Sequence, residues 1–196
     1  MRISAGEARG RRLYSPRSSA VRPTSSRIKD ACFNIIRSID GKTFLDLFAG
    51  MGSMGLEALS RGALRAVFIE NNPVLADAIL RNISACGFAG RAEVLKSDFI
   101  DAIQALMKRS EPFDILFADP PYEQGFVRRV LEHAESGALM AADGLFAVQH
   151  SVRETIGLPE PAHLVLTDQR RYGDTILSFL EKKIGADDAG IHPAAS

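Results

Sequence analysis

The run Phe113-Asp-Ile-Leu-Phe-Ala-Asp-Pro-Pro-Tyr122 places a carboxylate, two prolines and a phenol ring directly after an apolar segment of strand length. Such a segment reads as a buried strand that hands a rigid polar turn to a sheet edge. Asp119 and the carbonyl of Pro120 supply two hydrogen-bond acceptors, Pro121 stiffens the turn, and the ring of Tyr122 offers a flat surface. Two acceptors beside a stacking face suit a planar ligand with an exocyclic amino group. That amine is a poor nucleophile, because its lone pair is delocalised into the ring. Hydrogen bonds from both amino hydrogens to Asp119 and Pro120 would favour a pyramidal nitrogen whose lone pair can attack. A stiff surface turn would explain the prolines, but not an acid immediately after a buried strand.

Ligands of open α/β sheets bind beyond the carboxyl ends of the strands, so the other residues there decide what is bound. Four successive strand-like segments finish at or near an acid: Asp46, Glu70, Asp98 and Asp119. Between the first of them and its helix lies Gly50-Met-Gly52-Ser-Met-Gly55, a G-x-G-x-x-G pattern that by itself serves a dinucleotide equally well. The acids break the tie. A pyrophosphate beside Asp46 would meet like charge at low dielectric, costing on the order of several kcal/mol per unpaired contact. S-adenosylmethionine has no phosphate and carries a sulfonium and an ammonium. On that reading Gly50 and Gly52 let the methionine part pass the backbone, and Asp46 attracts the ammonium directly or through water. Glu70 takes both ribose hydroxyls, Asp98 accepts from the adenine amino group, and Phe99 covers the adenine face. Phe48 and Asn71 complete the candidate cofactor set. Asp98 also fits an ordinary helix cap.

The elements that must position these groups follow from periodicity. From residue 43 strands and helices alternate: strands at 43–48, 66–70, 92–95, 114–118 and 144–149, helices at 54–61, 73–86, about 99–108 and about 125–135. This predicts a mostly parallel sheet covered on both faces. Segments 163–167 and 174–180, joined by the polar stretch 168–173, predict a hairpin and hence an antiparallel strand at the edge, making seven strands. Upstream, short strands at 2–5 and 11–14 predict a hairpin. Thr24 or Ser25 is positioned to cap a helix whose apolar face is Ile28, Cys32, Ile35, Ile36 and Ile39, ended by Gly41. The expected organisation is a basic hairpin-helix extension over 1–40, a catalytic domain over 41–184 and a disordered tail over 185–196.

The chain of 196 residues has zero formal net charge, yet residues 1–42 carry ten Lys/Arg against three Asp/Glu and the rest fourteen against twenty-one. A basic end on an acidic body suggests that the end faces a polyanion, with a solvated basic arm as the alternative. Arg9, Arg11, Arg12, Arg17, Arg22, Thr24 and Arg27 are the candidate contacts to that polyanion, RNA by the resemblance given below; Arg22 fits a structural ion pair nearly as well. Cys32 and Cys86 lie in amphipathic helical patterns without metal spacing, and the four histidines are scattered, so reduced thiols and no metal are expected. No apolar run approaches the roughly 20 residues of a membrane span, and no signal-peptide core is seen, so a cytoplasmic protein, monomeric by default, is expected.

Asp46-Leu-Phe-Ala-Gly-Met-Gly-Ser-Met-Gly-Leu-Glu57, Asp119-Pro-Pro-Tyr122 and Arg22-Pro-Thr24 together resemble the bacterial 16S ribosomal RNA guanine-N2 methyltransferases of the RsmD type. The likeness runs from about Arg2 to Lys182 and includes Arg9-Gly-Arg11 and Arg171-Tyr-Gly-Asp-Thr175. Asp-Pro-Pro-Tyr alone is shared by many amino methyltransferases; the combination is far more specific. The resemblance implies a Rossmann-like class I S-adenosylmethionine-dependent methyltransferase domain and an N-terminal hairpin and helix that recognise RNA. It also implies a guanine of small-subunit rRNA, free or in an assembling particle, as target. Met51 stands where such proteins commonly carry a small residue. Adenine N6 in nucleic acid, a protein glutamine, a dehydrogenase or a noncatalytic RNA-binding protein of the same fold are the competing readings.

Overall fold

The computed structural model describes residues 1–16, 26–36, 38–135, 139–158 and 161–183. Arg17, Arg22 and Thr24, the Thr24/Ser25 cap and the tail from 185 to 196 lie outside the described residues. In chain order the elements are α1 (Ser26–Ile35), β1 (Thr43–Asp46), α2 (Ser53–Ser60), β2 (Arg65–Ile69), α3 (Pro73–Cys86) and β3 (Ala92–Leu95). They continue with α4 (Phe99–Arg109), β4 (Phe113–Ala118), α5 (Phe126–Glu135), β5 (Met140–Ser151), β6 (Leu164–Tyr172) and β7 (Thr175–Lys182). The seven strands form one sheet in the order β3-β2-β1-β4-β5-β7-β6, parallel from β3 to β5, with β7 antiparallel to both its neighbours.

Strands apolar on both sides need a core on both sides. Phe44, Phe68, Ile115 and Phe117 join one core with α1, α2 and α3, while Leu45, Val67, Leu116 and Ala118 join the other with α4 and α5. Asn72 caps α3 by accepting from the amides of Val74 and Leu75, with Pro73 at the first helical position. Among the described residues, no helix is long and apolar enough to cross a membrane.

Three boundaries differ from expectation by more than two residues. Helix α1 stops at Ile35, although Ile36 and Ile39 remain buried, and its core face also includes Phe33 and the aliphatic stem of Lys29. Strand β5 starts at Met140, four residues before Gly144. The polar stretch 168–173 is mostly strand: β6 runs to Tyr172, and the hairpin turns on Gly173, at φ 64°, and Asp174. An edge strand has water on one flank, so polar residues such as Gln169, Arg170 and Arg171 extend it without penalty.

The N-terminal segment forms a minimal hairpin, with Arg2 bridged to Arg12 and the Ile3 and Leu13 side chains buried in the α1–α3 core. One buried acid holds it. Glu57 of α2 accepts from the Ser4 amide at 2.8 Å, the Ala5 amide at 3.0 Å, Arg61 Nε at 2.8 Å and Lys29 Nζ of α1. Lys29 also donates to the Arg2 carbonyl at 2.8 Å. Burial alone would raise the Glu57 pKa, but the bonds from Lys29, Ser4 and Arg61 outweigh it and hold the carboxyl below its ordinary value. A depressed acid stabilises above its unfolded pKa and loses that contribution as pH falls through the folded one. Glu57→Gln should therefore destabilise by about 3–5 kcal/mol in urea titrations at neutral pH, because Lys29 is left buried without its counter-charge. It should also expose the Ser4 and Ala5 amides to hydrogen exchange. In the parent chain, the same two amides should keep their protection until the pH falls below the usual carboxylate range.

Candidate active site

The strand order reverses between β1 and β4, the position at which open α/β sheets bind their ligands. Along the carboxyl edge stand Asp98 after β3, Glu70 after β2, Asp46 ending β1, Asp119 after β4, Gln149 near the end of β5, and the Gly173-Asp174 turn between β6 and β7. A single pocket of about 1140 Å³ runs over this edge. It exceeds the roughly 300–1,000 Å³ of ordinary small-molecule sites. One half is lined by Phe48, Gly50, Met51, Glu70, Asn71, Asp98 and Phe99, the other by Arg27, Tyr122, Glu123, Gln149, Arg153 and Tyr172–Thr175, with Asp119, Pro120 and Pro121 between them. Five lining acids, Glu70, Asp98, Asp119, Glu123 and Asp174, face only two lining arginines, and Arg153 is itself paired with Glu123 at 3.3 Å. An acid excess of this kind suits a ligand bearing positive charge.

The glycine loop works partly by packing. At Gly55 an added Cβ would lie 2.3 Å from the Phe68 ring, and at Gly52, where φ is 78°, it would lie 3.2 Å from Ile79. Both positions let α2 close onto β2 and α3. Gly50 lines the pocket and Gly52 does not. Glu70 accepts from the amides of Gly50 and Asn72, each at 2.8 Å, which fixes the loop and leaves acceptor capacity toward the pocket. Burial raises its pKa, against the pull of the Asn72, Gly50 and Asn71 amides. Asp98 does cap α4, accepting from the Ile100 amide at 2.9 Å, and lines the pocket as well. Phe99 is set among Phe48, 5.2 Å away between ring centroids, and Phe126 at 5.9 Å, so an aromatic wall stands beside Asp98.

Asp46 lies beneath the loop, only 1% exposed, and is not part of the pocket lining. Neither carboxylate oxygen has a hydrogen-bond partner. Burial pushes its pKa up to about 8; the backbone amides of Gly55 and Phe48 pull against the shift, and Asp119 and Glu70 add like charge. A buried carboxylate without a partner, under a pocket rich in acids, fits a ligand that carries positive charge.

Tyr122 is held by its hydroxyl, which accepts from Gln149 Nε2 at 2.9 Å and lies 3.4 Å from Thr175 Oγ1. Glu123, in the left-handed region at φ 59°, accepts from Ser151 Oγ and Arg153. Of the basic residues assigned to RNA, Arg27 reaches the pocket mouth. The hairpin turn holding Arg9 is tied through Glu7 to Ser60, the last residue of α2, and Arg11 acts electrostatically on Cys86, the last of α3. Arg9 and Arg11 therefore sit toward the opposite end of the sheet. Arg12 is exposed and bridges Arg2 across the hairpin. Burial pushes the Cys32 thiol up to about 12 and raises that of Cys86, leaving neither nucleophilic at neutral pH. No group of three metal-ligating side chains occurs among the described residues.

Gln149 and Asn82 are two site residues that the sequence pattern did not single out. Gln149 ends a predicted strand, as the acids do, but its neutral amide does not stand out among polar residues the way a carboxylate does. Asn82 falls on the apolar stripe of α3 with Leu75, Ile79 and Ile83, where a polar residue signals a buried hydrogen-bond role. Its side chain bonds both the amide and the carbonyl of Tyr14 and the carbonyl of Met51 in the glycine loop.

The family model described as "Conserved hypothetical protein 95" matches residues 1–181. The chain is 33% identical to "Ribosomal RNA small subunit methyltransferase D" of Escherichia coli K12 over 193 residues, covering 96% of this chain and 94% of that one. It is 32% identical to "Putative rRNA methyltransferase YlbH" of Bacillus subtilis over 185 residues, 93% and 100% of the two chains. Among solved structures it resembles "Putative methyltransferase yhhF" from Escherichia coli with a TM-score of 0.80 at 31% identity, over 94% and 99% of the chains.

The unneutralised Asp46 carries a stability signature. A buried acid with a raised pKa costs stability as pH climbs from its unfolded value toward its folded one. Asp46→Asn should thus stabilise the unliganded protein, with an advantage over the parent that grows by up to ~1.4 kcal/mol per pH unit between pH 5 and 8 and levels off above. Chemical denaturation at a series of pH values measures it; an advantage independent of pH would contradict a buried protonated Asp46.

Proposed function

The chain belongs to the Conserved hypothetical protein 95 family, that of ribosomal RNA small subunit methyltransferase D, and on that footing we propose that it methylates the exocyclic N2 amino group of a guanine in 16S ribosomal RNA. The observation that carries this reading is the single pocket in which Glu70 and Asp98, the acids after β2 and β3, adjoin Asp119-Pro-Pro-Tyr122. S-adenosylmethionine, bound in the acidic half, would supply an electrophilic methyl group on a sulfonium. Glu70, with lone pairs left after Gly50 and Asn72, would hold the ribose hydroxyls. Asp98 would accept from the adenine amine beside Phe48 and Phe99, and Asp46, beneath the loop and outside the lining, would attract the ammonium through water.

In the other half, Tyr122 would stack on an extruded base, its hydroxyl fixed by Gln149 so that the ring keeps one plane. Asp119 and the Pro120 carbonyl would accept the two amino hydrogens, turning the nitrogen lone pair toward the methyl carbon for in-line attack that would break the methyl–sulfur bond and release neutral S-adenosylhomocysteine. Positive charge grows on nitrogen as the bond forms, and the Asp119 carboxylate stabilises it. The proton need leave only afterwards. The basic extension over 1–40 would serve as the RNA-holding part, with Arg9, Arg11 and Arg12 gripping phosphates away from the pocket and Arg27 at its mouth. A surface that extended suits a folded rRNA or an assembling small-subunit particle.

Asp119→Ala should fold and bind S-adenosylmethionine with unchanged affinity, yet lose kcat by on the order of 100- to 1,000-fold. The assay is labelled methyl transfer to undermodified 30S particles or 16S rRNA, followed by mapping of the modified base; near-normal turnover in this variant ends the catalytic assignment. Replacing Arg9, Arg11 and Arg12 together by Ala should weaken RNA binding and lower the slope of log K against log salt by about one for each phosphate no longer neutralised. Calorimetric cofactor affinity should stay constant in that variant.

A further inference from the structure

Beyond Asp119 the pocket wall changes from strand ends to α1 and the β6–β7 turn. There the Arg27 guanidinium lies over the Tyr172 ring, 6.0 Å from its centroid. On the neighbouring flank Arg81 lies over Tyr14 at 3.9 Å, the spacing of two flat groups in contact. The Arg27–Tyr172 gap is wider than a direct stack and about one ångström short of two successive contacts of ~3.5 Å each, the room that one planar base fills. Tyr172 is partly buried against the α1–α3 core, which fixes its place, whereas Arg27 is exposed and long and can yield that ångström. The Tyr122 hydroxyl reaches Thr175, three residues past Tyr172, so the two rings are successive aromatic surfaces along one mouth. Gly173 beside them has open space where a side chain would stand.

We propose that Arg27 and Tyr172 form a second base subsite, which clamps an unpaired nucleobase neighbouring the methylated nucleotide. The inference rests on the RNA methyltransferase reading and adds to it a residue, Tyr172, outside the reacting atoms. Guanidinium planes and aromatic rings accept any base by its π face, so the subsite holds RNA without reading its sequence. Its part in the reaction is to keep the strand unstacked while the target amine sits at Asp119.

Steady-state methyl transfer to undermodified 30S particles tests it, with Tyr172→Ala, Tyr172→Phe and Arg27→Ala beside the parent chain. Calorimetric affinity for S-adenosylmethionine without RNA is measured in parallel. Tyr172→Ala should raise KM for the particle by about 5- to 100-fold, the range that removing one base stack spans. It should leave kcat within about twofold and cofactor affinity unchanged. Tyr172→Phe should behave as the parent, and Arg27→Ala should raise KM in the same direction. An unchanged KM in Tyr172→Ala overturns the subsite, and so does a KM rise accompanied by weaker cofactor binding, since a merely structural tyrosine would give that. If the parent chain methylates RNA and Tyr172→Ala matches it, only the subsite falls; if the parent transfers no methyl to RNA, the underlying reading falls and the subsite with it.

Discussion

A carboxylate taken out of water must find a donor, a proton or a cation, and this molecule solves that problem twice in opposite ways. Glu57 is surrounded by donors from three separate segments, and its satisfaction is what joins the hairpin, α1 and α2 into one body. Asp46, on the adjoining strand, is left with no partner on either oxygen. The first acid serves architecture. The second stays available because the first has already fixed everything around it: α2 follows the glycine loop, so the helix that Glu57 anchors is the one whose start closes over Asp46.

The sheet then sorts chemistry by strand. To one side of the switch point, β1, β2 and β3 bring acids and an aromatic wall; to the other, β4, β5 and the β6–β7 turn bring acceptors, a tethered phenol and a rim of mixed charge. The Asp119-Pro-Pro-Tyr122 turn stands at the boundary between the two sets.

How far the sequence disclosed this depends on the kind of signal. Apolar runs of strand length and the 3.6-residue stripe of α3 placed the sheet and helices within a few residues, because burial on both faces leaves little choice of pattern. The acids at the strand ends were legible for the same reason: strand ends locate them. What could not be read was partnership across the fold. Lys29 looks like a solvent-facing cation of α1, and nothing local tells that Glu57 of α2 waits opposite it. Gly52 and Gly50 are indistinguishable in a motif, although one packs on Ile79 and the other borders the pocket. Arg9 and Arg11 belong to the same basic run as Arg27, yet the hairpin carries them to the far end of the sheet. The β6 extension was missed because edge strands tolerate polar residues that a periodicity rule assigns to loops.

Asn82 joins two regions that the chain keeps far apart. One amide side chain holds the backbone of Tyr14, at the foot of the basic hairpin, and the carbonyl of Met51, inside the glycine loop. Arm and loop thus share a fastener whose hydrogen-bonding positions are largely committed, so a displacement at one end strains the other. A ligand that drew the arm toward itself would bias the loop, and thermodynamic linkage would then require any ligand of the loop to bias the arm by an equal free energy. Order of arrival would then leave the final affinity of the ternary assembly untouched and appear only in the rates.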